Sequence, residues 1–167
     1  QIWDAQRAFI ARDWIELGAR GARAVEGHGD LRAEHVHLGD TINIIDCLEF
    51  DRDLRLLDPM QELAQLALEI ECLGDRRLAQ TLLQRYCDLA GERISAAELY
   101  FYMSHNATTR AKLAAWHVGD PQFPDAQPWL ERAHDYLQHA WRCIRAAGRG
   151  LSPRGISRLA VARRPVL

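Results

Sequence analysis

The alternation of apolar and polar positions divides the chain into a helical start, a short β segment and a long helical remainder. Residues 3–26 place apolar side chains at helical spacing, which predicts a helix with one apolar face. The members of that face are Trp3, Phe9, Ile10, Trp14 and Leu17. Two glycines within 27–29 break the pattern and favour a tight loop. Alternation at 36–38 and 42–45, around a Gly-Asp turn at 39–40, predicts a hairpin.

Four further helices are predicted after the hairpin, and most begin or end at a recognisable signal residue. Asp58 precedes a proline and is a candidate N-cap, while Ser95 and Glu98 form a capping box. Gly74 and Gly91 close the first two of these helices. The predicted ranges are 59–74, 75–90, 95–118 and 125–148. The tryptophans of this region are expected in the core or between helices: Trp116, Trp129 and Trp141.

Length and composition are those of an ordinary globular domain. The chain has 167 residues, of which 48% are hydrophobic and 26% charged, so one domain with a real core is expected. A net charge of −2 predicts neither a nucleic-acid nor a membrane partner. No apolar run approaches the ~20 residues of a membrane helix, and the first residues lack the pattern of a signal peptide. Four scattered cysteines without a CxxC pair fit reduced thiols, which predicts a cytoplasmic location.

The composition changes near the end, so residues 149–167 are predicted to be a separate basic segment. Its arginines occur without any acidic residue, beside glycines and prolines: Arg149, Arg154, Arg158, Arg163 and Arg164. A flexible tail or linker is the simpler interpretation. An anion-binding arm is the alternative, and it would need a partner that the sequence does not show.

Two carboxylates on either side of the predicted hairpin are the strongest chemical feature of the sequence. Asp30 follows the loop Gly27-His28-Gly29, and Asp46 follows the second strand. Phosphoryl transfer uses such a pair, because one carboxylate accepts the proton of the attacking hydroxyl and another holds Mg²⁺ on the nucleotide phosphates. The pair therefore indicates a candidate site for phosphoryl transfer.

Three segments around these carboxylates occur in the order found in a known enzyme family. They are HGDLRAEHVHL at 28–38, INIIDCLEF at 42–50 and DPMQELA at 58–64. They resemble, in turn, the catalytic loop, the metal-binding segment and the DPxxDLA helix start of the aminoglycoside phosphotransferase-like branch of the protein-kinase superfamily. Glu62 stands where the family usually has Asp. The chain is most similar to the first domain of bacterial two-domain proteins that add a P-loop ATP-binding domain.

The resemblance implies a mainly α fold, the C-terminal lobe of a kinase-like protein, with a small β hairpin carrying the catalytic loop. Residues 1–148 would form this lobe. The N-terminal lobe is expected to be absent, because no lysine precedes Lys112 and no glycine-rich strand-turn-strand pattern precedes Gly27. The surface that would face the missing lobe is expected to expose an apolar patch, so contact with another copy of the chain is also expected.

The resemblance also implies a role for each site residue. Asp30 would be the catalytic base, with His28 as the support of the catalytic loop. Asp46 would be the main ligand of the Mg²⁺ that accompanies ATP or GTP. His35 stands where the family has an Asn that holds a second Mg²⁺, and imidazole is a poorer ligand for this ion. The implied reaction transfers phosphate from ATP or GTP to a hydroxyl of a small molecule, with the N-lobe and a P-loop domain of the same protein as partners.

A zinc cluster is an alternative interpretation of some of these residues. His28, His35 and His37 with Cys47 offer suitable ligand types, although they do not fall in the usual closely spaced pairs. Strand alternation would place His35 and His37 on the same face. Cys47 is otherwise expected to be a buried strand thiol rather than a nucleophile.

Two other questions stay open at the level of sequence. Glu49 would either contact a second metal or pair with an arginine such as Arg52 or Arg55, and the arginine is the simpler choice. The whole domain could also be a non-catalytic binding or regulatory module that keeps a kinase-like shape. The substitution at His35 and the absent N-lobe favour the module, while the pair Asp30 and Asp46 favours the enzyme.

Overall fold

Five α-helices account for most of the protein in the computed structural model, which describes residues 1–149. The helices are α1 (Ile2–Gly21), α2 (Pro59–Cys72), α3 (Arg76–Ala90), α4 (Ala96–Trp116) and α5 (Gln127–Gly148). Four short strands lie between α1 and α2: β1 (Val25–Glu26), β2 (Val36–Leu38), β3 (Ile42–Ile44) and β4 (Leu56–Leu57). Short 3₁₀ turns precede β2 and β4, at Ala33–His35 and Asp53–Arg55. The prediction of a mainly α fold is confirmed.

The predicted helix signals lie where the helices begin and end. The Asp58 carboxylate accepts a hydrogen bond from Met60 N and caps α2. Ser95 and Glu98 exchange the two hydrogen bonds of a capping box at the start of α4. Gly91 ends α3 with a left-handed φ of 65°, a conformation that glycine adopts without steric cost. These predictions are confirmed.

The core lies between α4 and α5, with α2 packed against α4 and part of α1 added at one side. Small side chains at the crossing let the helices approach closely, and larger ones fill the space between them. The fully or nearly fully buried members include Met60, Ala64, Leu68, Met103, Ala107, Ala140 and Ile144. Phe9 of α1 stacks on Phe101 of α4 with ring centroids 4.7 Å apart.

Helix α1 differs from its prediction in length and in its buried face. It ends at Gly21 rather than near residue 26, because the chain turns there into strand β1. Of the predicted apolar face, Phe9 is buried, but Trp3 and Trp14 are 67% and 64% exposed. The other buried positions of α1 are polar, and Gln6 Nε2 donates to the Ser104 hydroxyl at 3.0 Å. The buried side of α1 therefore includes a hydrogen-bonded glutamine, whereas two tryptophans of the predicted apolar face are exposed.

One of the three tryptophans near the end of the chain differs from its prediction. Trp116 lies at the last turn of α4 and is 66% exposed, so its expected place in the core is wrong. Trp141 is half-buried and packs against the core, as predicted, and half-buried Trp129 packs against His117 and Phe123. Several buried positions of α4 and α5 are alanines instead, among them Ala107, Ala111 and Ala140.

Two separate antiparallel strand pairs form the small β part. Strand β2 pairs with β3, with His37 opposite Asn43, and the predicted turn at Gly39-Asp40 joins them. Strand β1 pairs with β4, which brings the end of α1 beside the start of α2. Leu38 and Ile42 are 81% and 70% exposed, which shows that the β2–β3 hairpin does not pack on the core.

Within residues 1–149, no helix is both long enough and apolar enough to cross a membrane. The basic segment predicted at 149–167 lies outside the described residues from residue 150 onward.

Candidate functional site

The loop Gly27-His28-Gly29 is fixed by a carboxylate from α2. Glu62 accepts hydrogen bonds from His28 N at 3.1 Å and from Gly29 N at 2.6 Å. A Cβ atom on Gly27 would collide with Glu62 Oε2, so any other residue here would require the Glu62 carboxylate to move. Gly29 has a left-handed φ of 85°. Glu62, noted in the sequence only as a departure from a family motif, is thus the anchor of the loop.

Two histidines fix the backbone of Asp30, one through its N–H group and the other through its carbonyl group. Asp30 N donates to His28 Nδ1 at 3.3 Å, and His28 Nε2 donates to the Ile45 carbonyl at 2.6 Å. His35 Nδ1 donates to the Asp30 carbonyl at 2.9 Å. The two imidazole rings stack with centroids 5.5 Å apart. Both nitrogens of His28 are therefore used by the backbone, whereas His35 keeps Nε2 for another contact.

The Asp30 carboxylate follows the loop Gly27-His28-Gly29 and is 26% exposed. Gln65 Nε2 donates to its Oδ1 at 2.6 Å. Arg110 Nη1 lies farther away, 3.4 Å from Oδ1 and 3.5 Å from Oδ2. Sequence reasoning missed both partners. Gln65 follows Glu62 by three residues on α2, and that spacing was a usable signal, whereas Arg110 comes from α4 without any local signal.

Asp46 stands beside the loop on an unusual backbone. Its φ of 64° is the one positive value of a non-glycine residue in the described part of the chain. Its side chain is 77% exposed, and Oδ2 lies 3.4 Å from His35 Nε2. His35, which is buried, therefore contacts Asp30 through one ring nitrogen and Asp46 through the other. The His35 imidazole thus contacts the Asp30 backbone, the Asp46 carboxylate and the His28 ring, so the four predicted site residues are neighbours.

Few side chains of the described residues could contact a metal ion at this site. Within residues 1–149, no group of three or more His, Cys, Asp or Glu side chains could hold a metal. Mg²⁺ is commonly bound by one or two carboxylates together with water and substrate phosphates, so the exposed Asp46 carboxylate is of the type that could serve as one ligand. His35 Nε2 faces the same space and could add a weaker contact.

The zinc interpretation is wrong for the described residues. Both nitrogens of His28 make backbone hydrogen bonds, and His37 lies on the exposed hairpin while His35 is buried in a 3₁₀ turn. The expectation of one shared face for His35 and His37 therefore fails. Cys47 is half-buried and follows β3 instead of lying in a strand, which corrects its predicted place.

Glu49 does not make the predicted arginine pair. It is exposed, and both nearby arginines pair with Glu26 of β1 instead. Arg52 Nε lies 2.9 Å and Arg55 Nη2 2.8 Å from the Glu26 carboxylate. These pairs join the segment before β4 to β1 because the two strands are hydrogen-bonded neighbours.

A second polar group, also missed from the sequence, joins α2 to α5. Tyr136 donates to the Glu69 carboxylate at 2.7 Å, and Arg32 Nη2 lies 3.8 Å from the same carboxylate. Burial and the hydrogen bond to Glu69 raise the pKa of Tyr136 to about 12, while Arg110 and Arg32 act in the opposite direction. Both guanidinium groups therefore lie near this phenol.

The comparisons with known proteins give relatives but no function. Uncharacterized proteins of Mycobacterium tuberculosis, including the one named Rv2004c, and of Mycobacterium bovis are 37% identical to this chain over 120 residues. The match covers 70% of this chain and 24% of each relative, so the chain spans about a quarter of their length. No family model matches the sequence, and no solved structure matches the chain.

Proposed function

We propose that this chain is the C-terminal lobe of an aminoglycoside phosphotransferase-like enzyme that transfers phosphate from ATP or GTP to a hydroxyl of a small molecule. The observation that carries the proposal is the fixation of Asp30. Its N–H and C=O groups are bound by His28 and His35, and its carboxylate by Gln65. Such fixation suits a base whose task is to align an attacking hydroxyl, since phosphoryl transfer depends mainly on position.

In the proposed reaction, the acceptor hydroxyl donates a hydrogen bond to the Asp30 carboxylate. The hydroxyl oxygen forms a bond to the terminal phosphorus, the bond from that phosphorus to the bridging oxygen breaks, and the nucleoside diphosphate leaves with the bond's electron pair. Asp30 accepts the hydroxyl proton. Asp46, with His35 beside it, would hold Mg²⁺, which when bound neutralises charge on the nucleotide phosphates. His28 and Glu62 hold the loop throughout.

The exposed apolar side chains near the hairpin support a partner over this face. Leu38 and Phe50 are 81% and 82% exposed, and Ile42 and Ile44 are also exposed. An N-lobe of the same protein, with its nucleotide-covering loop, is the proposed occupant, and a further P-loop domain would belong to the same protein. The cysteines of the described residues are free thiols, which supports the proposed cytoplasmic location.

A non-catalytic binding or regulatory module is the second candidate. The same exposed hairpin favours it, because contiguous apolar surface commonly marks a protein interface. In that case the loop around Asp30 would be retained for its shape alone, and loss of its carboxylate would have no effect on any nucleotide reaction.

The test uses the full-length protein that contains this chain, with nucleotide turnover and nucleotide affinity measured in parallel. Asp30→Asn is nearly isosteric and should lower turnover by about 100-fold or more with little change in nucleotide affinity. Asp46→Asn should weaken Mg²⁺-dependent nucleotide binding itself, because a charged oxygen ligand is lost. Asp75→Asn, at the exposed N-cap of α3, is the matched control and should alter neither quantity. If turnover is absent for every acceptor and the variants bind nucleotide like the wild type, the module replaces the enzyme.

A further inference from the structure

We infer that the acceptor carries an anionic group, a carboxylate or a phosphate, close to the hydroxyl that is phosphorylated, and that Arg110 binds this group. The inference rests on the proposed phosphotransfer at Asp30 and adds the chemical class of the acceptor. It also sets this site apart from one built for a cationic amino sugar, the class of acceptor that the family's name suggests.

Arg110 is the first line of support, because most of its side chain is covered and yet it makes few hydrogen bonds. The side chain is 13% exposed and lies on α4 beside Asp30. Its hydrogen bonds within residues 1–149 are both from Nη1 to Asp30, at the long distances of 3.4 and 3.5 Å. The Nε atom of Arg110 is buried and finds no partner there. A guanidinium has five N–H donors, and leaving buried donors unpaired is unfavourable.

Arg110 is also not needed to hold Asp30. Gln65 makes the short contact to the carboxylate at 2.6 Å, and the two histidines fix the backbone. A structural partner of Asp30 would be expected at the shorter distance of a charge-assisted hydrogen bond, about 2.8 Å. The longer approach of Arg110 leaves its fork free to bind a second anion in the two-point geometry that carboxylates and phosphates offer.

A second arginine adds positive charge to the same region. Arg32, two residues after Asp30, is also 13% exposed, and its Nε atom is buried without a partner among the described residues. Its other nitrogens contact Glu34, which is 61% exposed, and Glu69 at 3.8 Å. Glu69 is shared with Tyr136, and the Nε atom of Arg32 remains the one buried donor of this side chain without a partner among the described residues.

The positions of these groups limit where the anionic group lies. A hydroxyl bound to Asp30 would be within a few ångströms of Arg110, because Nη1 is 3.4 Å from the carboxylate. The anionic group is therefore separated from the reacting hydroxyl by only a few bonds. A cationic group at this place would lie beside the Arg110 guanidinium, and bringing two like charges together is unfavourable.

The experiment compares acceptors that differ only in charge, using the full-length protein. A three-carbon series consists of glycerate, glycerol and 3-amino-1,2-propanediol, and a hexose series consists of glucuronate, glucose and glucosamine. Glycerol 3-phosphate and glucose 6-phosphate distinguish phosphate from carboxylate. Nucleoside diphosphate release gives kcat/KM, and calorimetry gives the affinity for each acid without nucleotide. The variants are Arg110→Gln, Arg110→Lys and the control Arg85→Gln, which removes an exposed arginine of α3.

We expect the anionic member of a series to exceed its neutral analogue by about 100-fold in kcat/KM, and Arg110→Gln to remove this preference without an equal loss on the neutral acceptor. Arg110→Lys keeps the charge but not the fork, and should retain part of the preference. A purely structural Arg110 would instead lower both activities equally, which overturns the inference.

Two other results separate the inference from the proposed phosphotransfer. Turnover that is equal or faster with neutral or cationic acceptors overturns the inference and leaves the phosphotransferase in place. Binding of an acid that needs Arg110, without turnover of any acceptor, supports the anion site and counts against the phosphotransferase. Absence of any Arg110-dependent binding of the acids, at millimolar concentration, also overturns the inference.

Discussion

The buried ion pair between Arg20 and Asp58 is expected to be a main determinant of stability. The side chains are 7% and 6% exposed. Asp58 accepts from Arg20 Nη2 at 2.9 Å, from Arg20 Nε in a short contact, and from the Tyr102 hydroxyl at 2.9 Å. It also caps α2 through Met60 N. One carboxylate thus joins α1, α2 and α4.

Asp58→Asn keeps the shape but leaves the Arg20 guanidinium buried beside an uncharged amide. The remaining contacts of Arg20 are the Arg93 carbonyl at 2.9 Å and Glu92 at 3.7 Å, which compensate the charge only in part. Removing one partner of a buried pair typically costs about 3–5 kcal/mol in the free energy of unfolding. Arg20→Met should cost a similar amount, because it leaves the Asp58 carboxylate unpaired.

The assay is urea denaturation of the two single variants and of the double variant. The double variant should lose less than the sum of the single losses, by at least about 2 kcal/mol, because neither charge is then left alone. Single losses below about 1 kcal/mol, or losses that simply add, would refute the argument that the pair acts as one buried unit.

The same pair predicts a pH dependence with a definite sign. Burial by itself would raise the pKa of Asp58, but hydrogen bonds from Arg20, Met60 and Tyr102 outweigh it and hold the pKa below the ordinary 3.8. A carboxyl whose pKa is lowered by folding contributes stability above its unfolded pKa and loses it as the pH falls through the folded value. Acid unfolding below about pH 4 should therefore become less steep in Asp58→Asn.

Two smaller predictions concern the loop and the core. Gly27→Ala should push the Glu62 carboxylate from its two backbone hydrogen bonds and destabilise the protein by about 1–3 kcal/mol. The control Gly18→Ala, in open space on α1, should instead stabilise the protein by up to about 1 kcal/mol. Equal changes in the free energy of unfolding for the two variants would contradict the steric argument. Burial, then Arg142 and Arg76, lower the pKa of His139 to about 4, so the free energy of unfolding should fall as the pH drops from about 6.5 towards 4, and His139→Gln should reduce that slope.

The positions of the helices could largely be predicted from the sequence, but the side of α1 that is buried could not. Caps and glycines are local signals, and Asp58, Ser95 and Gly91 act where the pattern placed them. The buried face of α1 depends instead on long-range partners, since the buried Gln6 side chain finds its hydrogen-bond partner in Ser104 of α4. Apolar periodicity could not predict that, because it treats a glutamine as a surface residue.

The candidate site shows the same division between local and distant information. The segment from His28 to Asp46 contains its own site residues, so one continuous stretch of sequence could identify them. Arg110 comes from α4, 80 residues after Asp30, and has no local pattern that links the two. Its approach to Asp30 depends on how α4 packs against α2, which spacing in the sequence does not describe.

Helix α2 connects the stability of the domain to the geometry of the loop. Its first turn is fixed by the Asp58 pair, and one face of the helix then presents Glu62 to the loop backbone and Gln65 to the Asp30 carboxylate. These positions differ by three or four residues, so they follow one another along the same side of the helix. A rotation of α2 would therefore move the anchor of the loop and the partner of Asp30 together. Variants at Asp58 should for this reason disturb the loop around Asp30 as well as the stability of the fold, although the Asp58 carboxylate bonds Arg20, Met60 and Tyr102 and contacts neither the Glu62 nor the Gln65 side chain.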